Sequence, residues 1–308
     1  MRIAIAVLVI SLSGLSVLAQ GPPTLRIVTE VPNLPSELFY GDIRVKPLRL
    51  RPGTNTPITI NDADFFVFQQ YVDFLSRMPD QSGFTFWVNE ITSCGGNAAC
   101  VDRQRVNSSG AFFLSIEFNG TGYFVYRLHK GSFGNLPRYS TFMPDTRQVA
   151  SGVIVGQGDW QGQLAANQTA FANAWVDRPA FLTRYPTTLA ADRYVDDLIQ
   201  TAGLTPAQVN RDAIISEIAT AGYPSATARA IGLRRVVESS AFDTKEKSPA
   251  FVLMQYFGYL RRNPDDAPDN NFEGYNFWLA KLNQFNGDFH AAEMVKSFIV
   301  SPEYLGRF

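Results

Sequence analysis

One passage of this chain is written twice. Phe66-Val-Phe-Gln-Gln-Tyr-Val-Asp-Phe-Leu-Ser-Arg-Met-Pro-Asp80 returns as Phe251-Val-Leu-Met-Gln-Tyr-Phe-Gly-Tyr-Leu-Arg-Arg-Asn-Pro-Asp265, with eight of fifteen positions identical. Gly83-Phe-Thr-Phe-Trp87 returns as Gly274-Tyr-Asn-Phe-Trp278, and Phe112-Phe-Leu-Ser-Ile-Glu-Phe118 as Phe298-Ile-Val-Ser-Pro-Glu-Tyr304. Three blocks in one order identify a recurring supersecondary unit, which cannot bury its apolar face alone. Phe68, Tyr71, Val72 and Leu75 fall at i, i+3, i+4 and i+7, so the unit opens on an amphipathic helix. Pro79-Asp80 ends that helix, and Asp80 or Ser82 can cap the next.

The closing block leaves fainter traces between its two clear copies. The aromatics Phe118, Phe181, Phe242 and Tyr304 lie 63, 61 and 62 residues apart, and Tyr194-Val195 falls 62 before Tyr256. The fold expected is therefore all-α, in tandem helical units of about sixty residues. The first would span 62–134, degenerate units 135–249, and the last 250–308. Helices are expected near 62–77, 80–91, 99–118, 123–131, 145–156, 160–177, 188–202, 206–220 and 225–241. Residues 20–61 stand apart: seven prolines between 20 and 60 forbid long helices and central strands, leaving an extended arm with one or two edge strands.

Residues 1–19 join one basic residue to an apolar run ending Val17-Leu18-Ala19, the pattern of a secretory signal cleaved before Gln20. The run is too short to span a bilayer, and Gly21-Pro22-Pro23 breaks it. An exported chain meets an oxidising compartment, so Cys94 and Cys100 are expected to form a local disulfide. The formal net charge is −1, which gives no basic field to hold nucleic-acid phosphates.

Gln-Tyr-x-x-Phe-Leu-x-Arg-x-Pro-Asp, then Gly-x-x-Phe-Trp, then Ser-x-Glu-Phe resembles bacterial domain-of-unknown-function family 4214, in the form found in secreted acidobacterial proteins. The clear match covers about 64–134 and 250–308. The resemblance implies a small helical domain, often extracellular, with a loose likeness to phycobilisome linker domains. It brings no activity, ligand or catalytic residue.

The repeat-motif residues are Gln70, Tyr71, Arg77, Asp80, Trp87 and Phe118 in the first copy. In the last they are Gln255, Tyr256, Arg262, Asp265, Trp278 and Tyr304. Arg77 and Arg262 end a helix, where a cation suits the dipole and could pair with the following Asp. Trp87 and Trp278, with Tyr71 and Tyr256, read as core, although such rings can also stack on sugars. Asp265 to Glu273 is the richest oxygen cluster. Calcium is the ion it would suit, but Pro268 and the lack of a central Gly break the EF-hand spacing, and a solvated loop is the favoured reading.

No nucleophile elbow, zinc-protease or phosphate-loop motif is present, and His129 and His290 have no partner at motif spacing. No cofactor is called for. The function expected is a secreted, non-catalytic structural or interaction protein of the cell envelope, with an envelope glycan or another surface protein as partner. The alternative is a secreted carbohydrate-active enzyme or glycan-binding module, because paired carboxylates need no sequence motif.

Overall fold

The computed structural model describes residues 25–28, 37–41, 43–46 and 48–308. The signal sequence expected at 1–19 and part of the Pro-rich arm lie outside them. Two compact units divide the chain at Pro47. Within the first, strands β1 (Leu25–Val28), β2 (Glu37–Tyr40) and β3 (Ile43–Val45) form an antiparallel sheet in that order. Leu25 pairs with Tyr40, and Tyr40 in turn with Ile43. The arm thus carries more strand than the edge pieces its prolines suggested.

The second unit is α-helical. Its first part holds α1 (Ala63–Leu75), α2 (Gln81–Thr92), α3 (Ala98–Leu114), α4 (Ile116–Gly120) and α5 (Gly122–Phe133). Then follow α6 (Tyr139–Ala150), α7 (Trp160–Val176), α8 (Pro179–Arg184), α9 (Ala191–Ala202), α10 (Pro206–Val209), α11 (Arg211–Thr220) and α12 (Ala226–Val237). Last come α13 (Ser240–Gln255), which runs on into a π-helical turn over Tyr256–Leu260, α14 (Glu273–Gln284), α15 (Met294–Ile299) and α16 (Pro302–Leu305).

Four helix boundaries depart from expectation, the first being the helix expected over 145–156, which runs instead over Tyr139–Ala150 and is followed by Gly152 at a left-handed φ of 72°. The helix expected to reach 118 stops at Leu114, because the Ser115 hydroxyl accepts from the Phe118 N–H and starts α4. The helix expected over 206–220 breaks at Asn210, which adopts a left-handed φ of 55°. Pro144 and Pro249 both sit inside helices, α6 and α13, so the division placed at 249/250 falls within one continuous helix.

The four spaced aromatics occupy one kind of place. Phe118, Phe181, Phe242 and Tyr304 are each the third residue of their helix, and each is fully buried. Ser115, Ser239 and Ser301 cap three of these helices by accepting from the aromatic residue's own N–H. At Phe181, Arg178 takes the cap position and Pro179 supplies the preset φ of a first helical residue. Three of the four are therefore held by their own N–H, and all four rings fill the core.

The first and last parts pack on each other. Phe74 meets Tyr259 edge-on with ring centroids 5.2 Å apart, and these two residues hold the same position in the two copies. Gly258 lets Phe74 approach: a Cβ there would lie 2.8 Å from the ring. Asp73, fully buried, accepts a bidentate pair from Arg307 at 2.8 and 3.0 Å and a third bond from Arg261 at 3.1 Å. Arg307 also donates to the carbonyls of Gly258 and Tyr259.

Candidate functional site

The recurring blocks build the same arrangement twice. α1 ends at Ser76 and the π-helical turn at Arg261, both left-handed, and the next N–H, of Arg77 or Arg262, reaches back to Tyr71 or Tyr256 O. That turn aims the arginine at the closing block. Arg77 donates to Glu117 at 2.6 and 2.8 Å, and Arg262 to Glu303 at 2.6 and 3.0 Å. Each guanidinium also covers its tyrosine, 5.0 Å from the Tyr71 ring and 5.4 Å from the Tyr256 ring. Both arginines are partly buried. Burial works against their charge, but the glutamates outweigh it and raise both pKa values.

The aromatics repeat as well. Tyr71 packs edge-on against Phe112 and Tyr256 against Phe298, at 4.7 and 5.2 Å. Trp87 lies 6.2 Å from Phe112, and Trp278 lies 5.9 Å from Phe298. Burial pushes both tyrosines up to about 12, with Asp80 adding to it at Tyr71 and Asp269 at Tyr256. Gln70 and Gln255 are fully buried beside them. The motif glycines have a steric reason. A Cβ on Gly83 would strike the Tyr71 hydroxyl, and one on Gly274 would lie 2.6 Å from that of Tyr256.

The copies differ at the aspartate. Asp80 caps α2 by accepting from the Gly83 N–H at 2.8 Å, and it touches Arg77 at 3.4 Å. Burial works to raise its pKa, but these contacts and the Ser82 hydroxyl hold it below the ordinary range. Asp265, its match in sequence, does neither. It binds Arg138 at 2.5 and 2.7 Å, and Asp269 binds Arg262 at 2.8 Å in its place. The inserted loop shifts the carboxylate four positions along. Asp266 pairs with Arg138 too, so three carboxylates of the acidic loop are held by arginines. Among the described residues, no group of three or more His, Cys, Asp or Glu is arranged to hold a metal.

Trp87 and Trp278 are only half buried, and each has an exposed phenylalanine edge-on beside it. Phe86 is 54 % and Phe277 57 % exposed, a cost in water that recurs at one position in both copies. Cys94 and Cys100 are joined in a disulfide with Cα atoms 5.5 Å apart, closing the loop between α2 and α3.

Several residues that shape the body carried no sequence signal. Arg229 is fully buried and donates to the carbonyls of Val176 and Tyr185 at 3.0 and 2.6 Å, while Tyr194 donates to Arg229 O. It lies near the rings of Phe181, one of the spaced aromatics, and of Tyr194. Glu117 and Glu303 stood inside a recurring block, and their recurrence was the available clue. A groove of about 480 Å³ opens where α4, α5, α7 and α12 meet, lined by Leu114, Ile116, Leu164, Arg127, Arg234 and Glu238 among others. It holds a single carboxylate, which Arg234 engages at 2.7 Å. No helix among the described residues is long and apolar enough to cross a membrane. No family model, curated protein or solved structure matches the chain.

Proposed function

We propose that the chain is a secreted, non-catalytic structural or interaction protein of the cell envelope, built from tandem helical units of about sixty residues and related to family 4214. One observation carries the reading: the recurring polar residues are spent on the fold. Arg77 and Arg262 hold their closing glutamates, and the tyrosines and glutamines are buried. A motif kept for chemistry would instead leave a reactive group facing an open site. The groove's lone carboxylate, already engaged by Arg234, supplies no acid–base pair for glycoside hydrolysis.

The exposed Phe86 and Phe277 favour a second reading, a glycan-binding module in which the rings stack on sugar faces. Expression of the full chain in a bacterium, followed by fractionation and mass spectrometry, tests the first. The export reading expects an envelope or medium fraction beginning at Gln20. Cytosolic protein retaining Met1 overturns it. Envelope glycan retained by the pure protein, and lost in Phe86→Ala/Phe277→Ala, would favour the second reading. Release of a cleaved sugar product would overturn the non-catalytic one.

A further inference from the structure

We propose that the groove between α4, α5, α7 and α12 is a binding site for a small amphipathic carboxylate, one acid group on an apolar body. Arg127 is the lining cation without a counter-charge. Among the described residues no carboxylate lies within ion-pair distance of it, its guanidinium lies over the Tyr123 ring at 4.9 Å, and its Nε is buried with no hydrogen-bond partner. The other lining cation is committed: Arg234 pairs with Glu238 at 2.7 Å and lies over the Phe124 ring at 5.4 Å. The lining charges therefore sum to one uncompensated positive charge, carried by a side chain suited to grip a carboxylate with two parallel bonds.

The apolar half of the ligand is specified by the wall. Leu114 is 49 % and Ile116 64 % exposed, and both line the groove together with Leu164. Aliphatic surface of this kind is favourably covered by an apolar chain. The groove is open, with a volume of about 480 Å³, so a bound ligand would keep part of its surface in water. Glu238 disfavours a dianion, so a phosphate is a poorer fit than a monocarboxylate. That chemistry could come from a free aliphatic acid or from the C-terminal carboxylate of an apolar peptide.

Octanoate, octanol and trileucine with a free or amidated C-terminus are titrated into the full chain by calorimetry. Octanoate or free trileucine is expected to saturate one site. Removing the charge, as octanol or the amide, should weaken binding about tenfold or more. Arg127→Gln should cause a similar loss, and Ile116→Asn should weaken binding while leaving the charge in place. Arg127 donates no side-chain hydrogen bond among the described residues, so the Gln variant should melt close to wild type. Tighter binding of octanoate assigns a free acid as the source, and tighter binding of trileucine assigns a peptide end. Failure of both to saturate below about 10 mM overturns the proposal, as does binding that Arg127→Gln leaves unchanged.

Discussion

Replacing Asp73 by alanine tests how the two ends of the helical body are joined. The Asp73 carboxylate is fully enclosed and receives three bonds from Arg307 and Arg261. Arg307 is 9 % exposed and Arg261 32 %, so the loss falls mainly on Arg307. Asp73→Ala leaves the Arg307 guanidinium buried with two backbone carbonyls and no counter-charge. Breaking one side of a buried pair costs about 3–5 kcal/mol, a large share of a typical margin of about 5–15 kcal/mol. At roughly 2–4 °C per kcal/mol for a body of this size, the melting temperature should fall by about 6–20 °C.

Urea melts at two salt concentrations provide the assay. The loss should persist at high salt, because a buried pair is screened little. Removing both partners, Asp73→Ala with Arg307→Leu, should cost less than the two single changes added together, with a coupling of about 1–3 kcal/mol. A single variant within about 1 kcal/mol of wild type, or strictly additive costs, would falsify this account of the closure.

Four further outcomes follow from the geometry. Gly83→Ala and Gly274→Ala should each destabilise by about 1–3 kcal/mol despite alanine's better helix propensity, and Tyr71→Phe or Tyr256→Phe should restore most of the loss by removing the struck hydroxyl. Unfolding midpoints of these double variants decide it. Arg77→Ala should cost more than Arg262→Ala, because Glu117 is 5 % exposed and Glu303 37 %. Equal losses in calorimetric melts would refute that ordering. His129 is packed against Phe133 and Trp175, and burial pushes its pKa down from 6.5 to about 4. The unfolded chain therefore binds the proton first, and stability should fall by up to about 3 kcal/mol as pH drops from 6.5 to 4. His129→Phe should flatten urea midpoints across that window, and an unchanged slope would count against the assignment. Reduction of Cys94–Cys100 should lower stability by only about 2 kcal/mol, because the closed loop is short. A loss twice that size in melts with and without reductant would mean the bridge holds more than its own loop.

What could be read from the sequence was whatever local chemistry determines. The helix stop at Pro79-Asp80 and the Asp80 cap depend on neighbours within a few residues. Pairings across the chain left no such trace. Asp265 copies Asp80 by position, yet its partner is Arg138, 127 residues away, and the loop 266–273, standing where the first copy has only 81–82, lets Asp269 reach Arg262 instead. Arg229 reads like any surface arginine on α12 until its carbonyl partners are seen. The groove is formed by helices from three separate stretches, none of which carries a motif.

The bonds from Arg307 to Asp73 span 234 positions. A ribosome adding about 5–20 residues per second makes Asp73 roughly 12–47 seconds before its partner exists. For most of that interval, until Tyr259 is made, the Phe74 ring on α1 lacks the partner that will cover it. A chain cut short before Arg307 would also leave the buried Asp73 carboxylate with the single bond from Arg261 in place of three. Such a product should close poorly and should remain open to proteases, so this one clasp ties closure of the helical body to synthesis as far as Arg307.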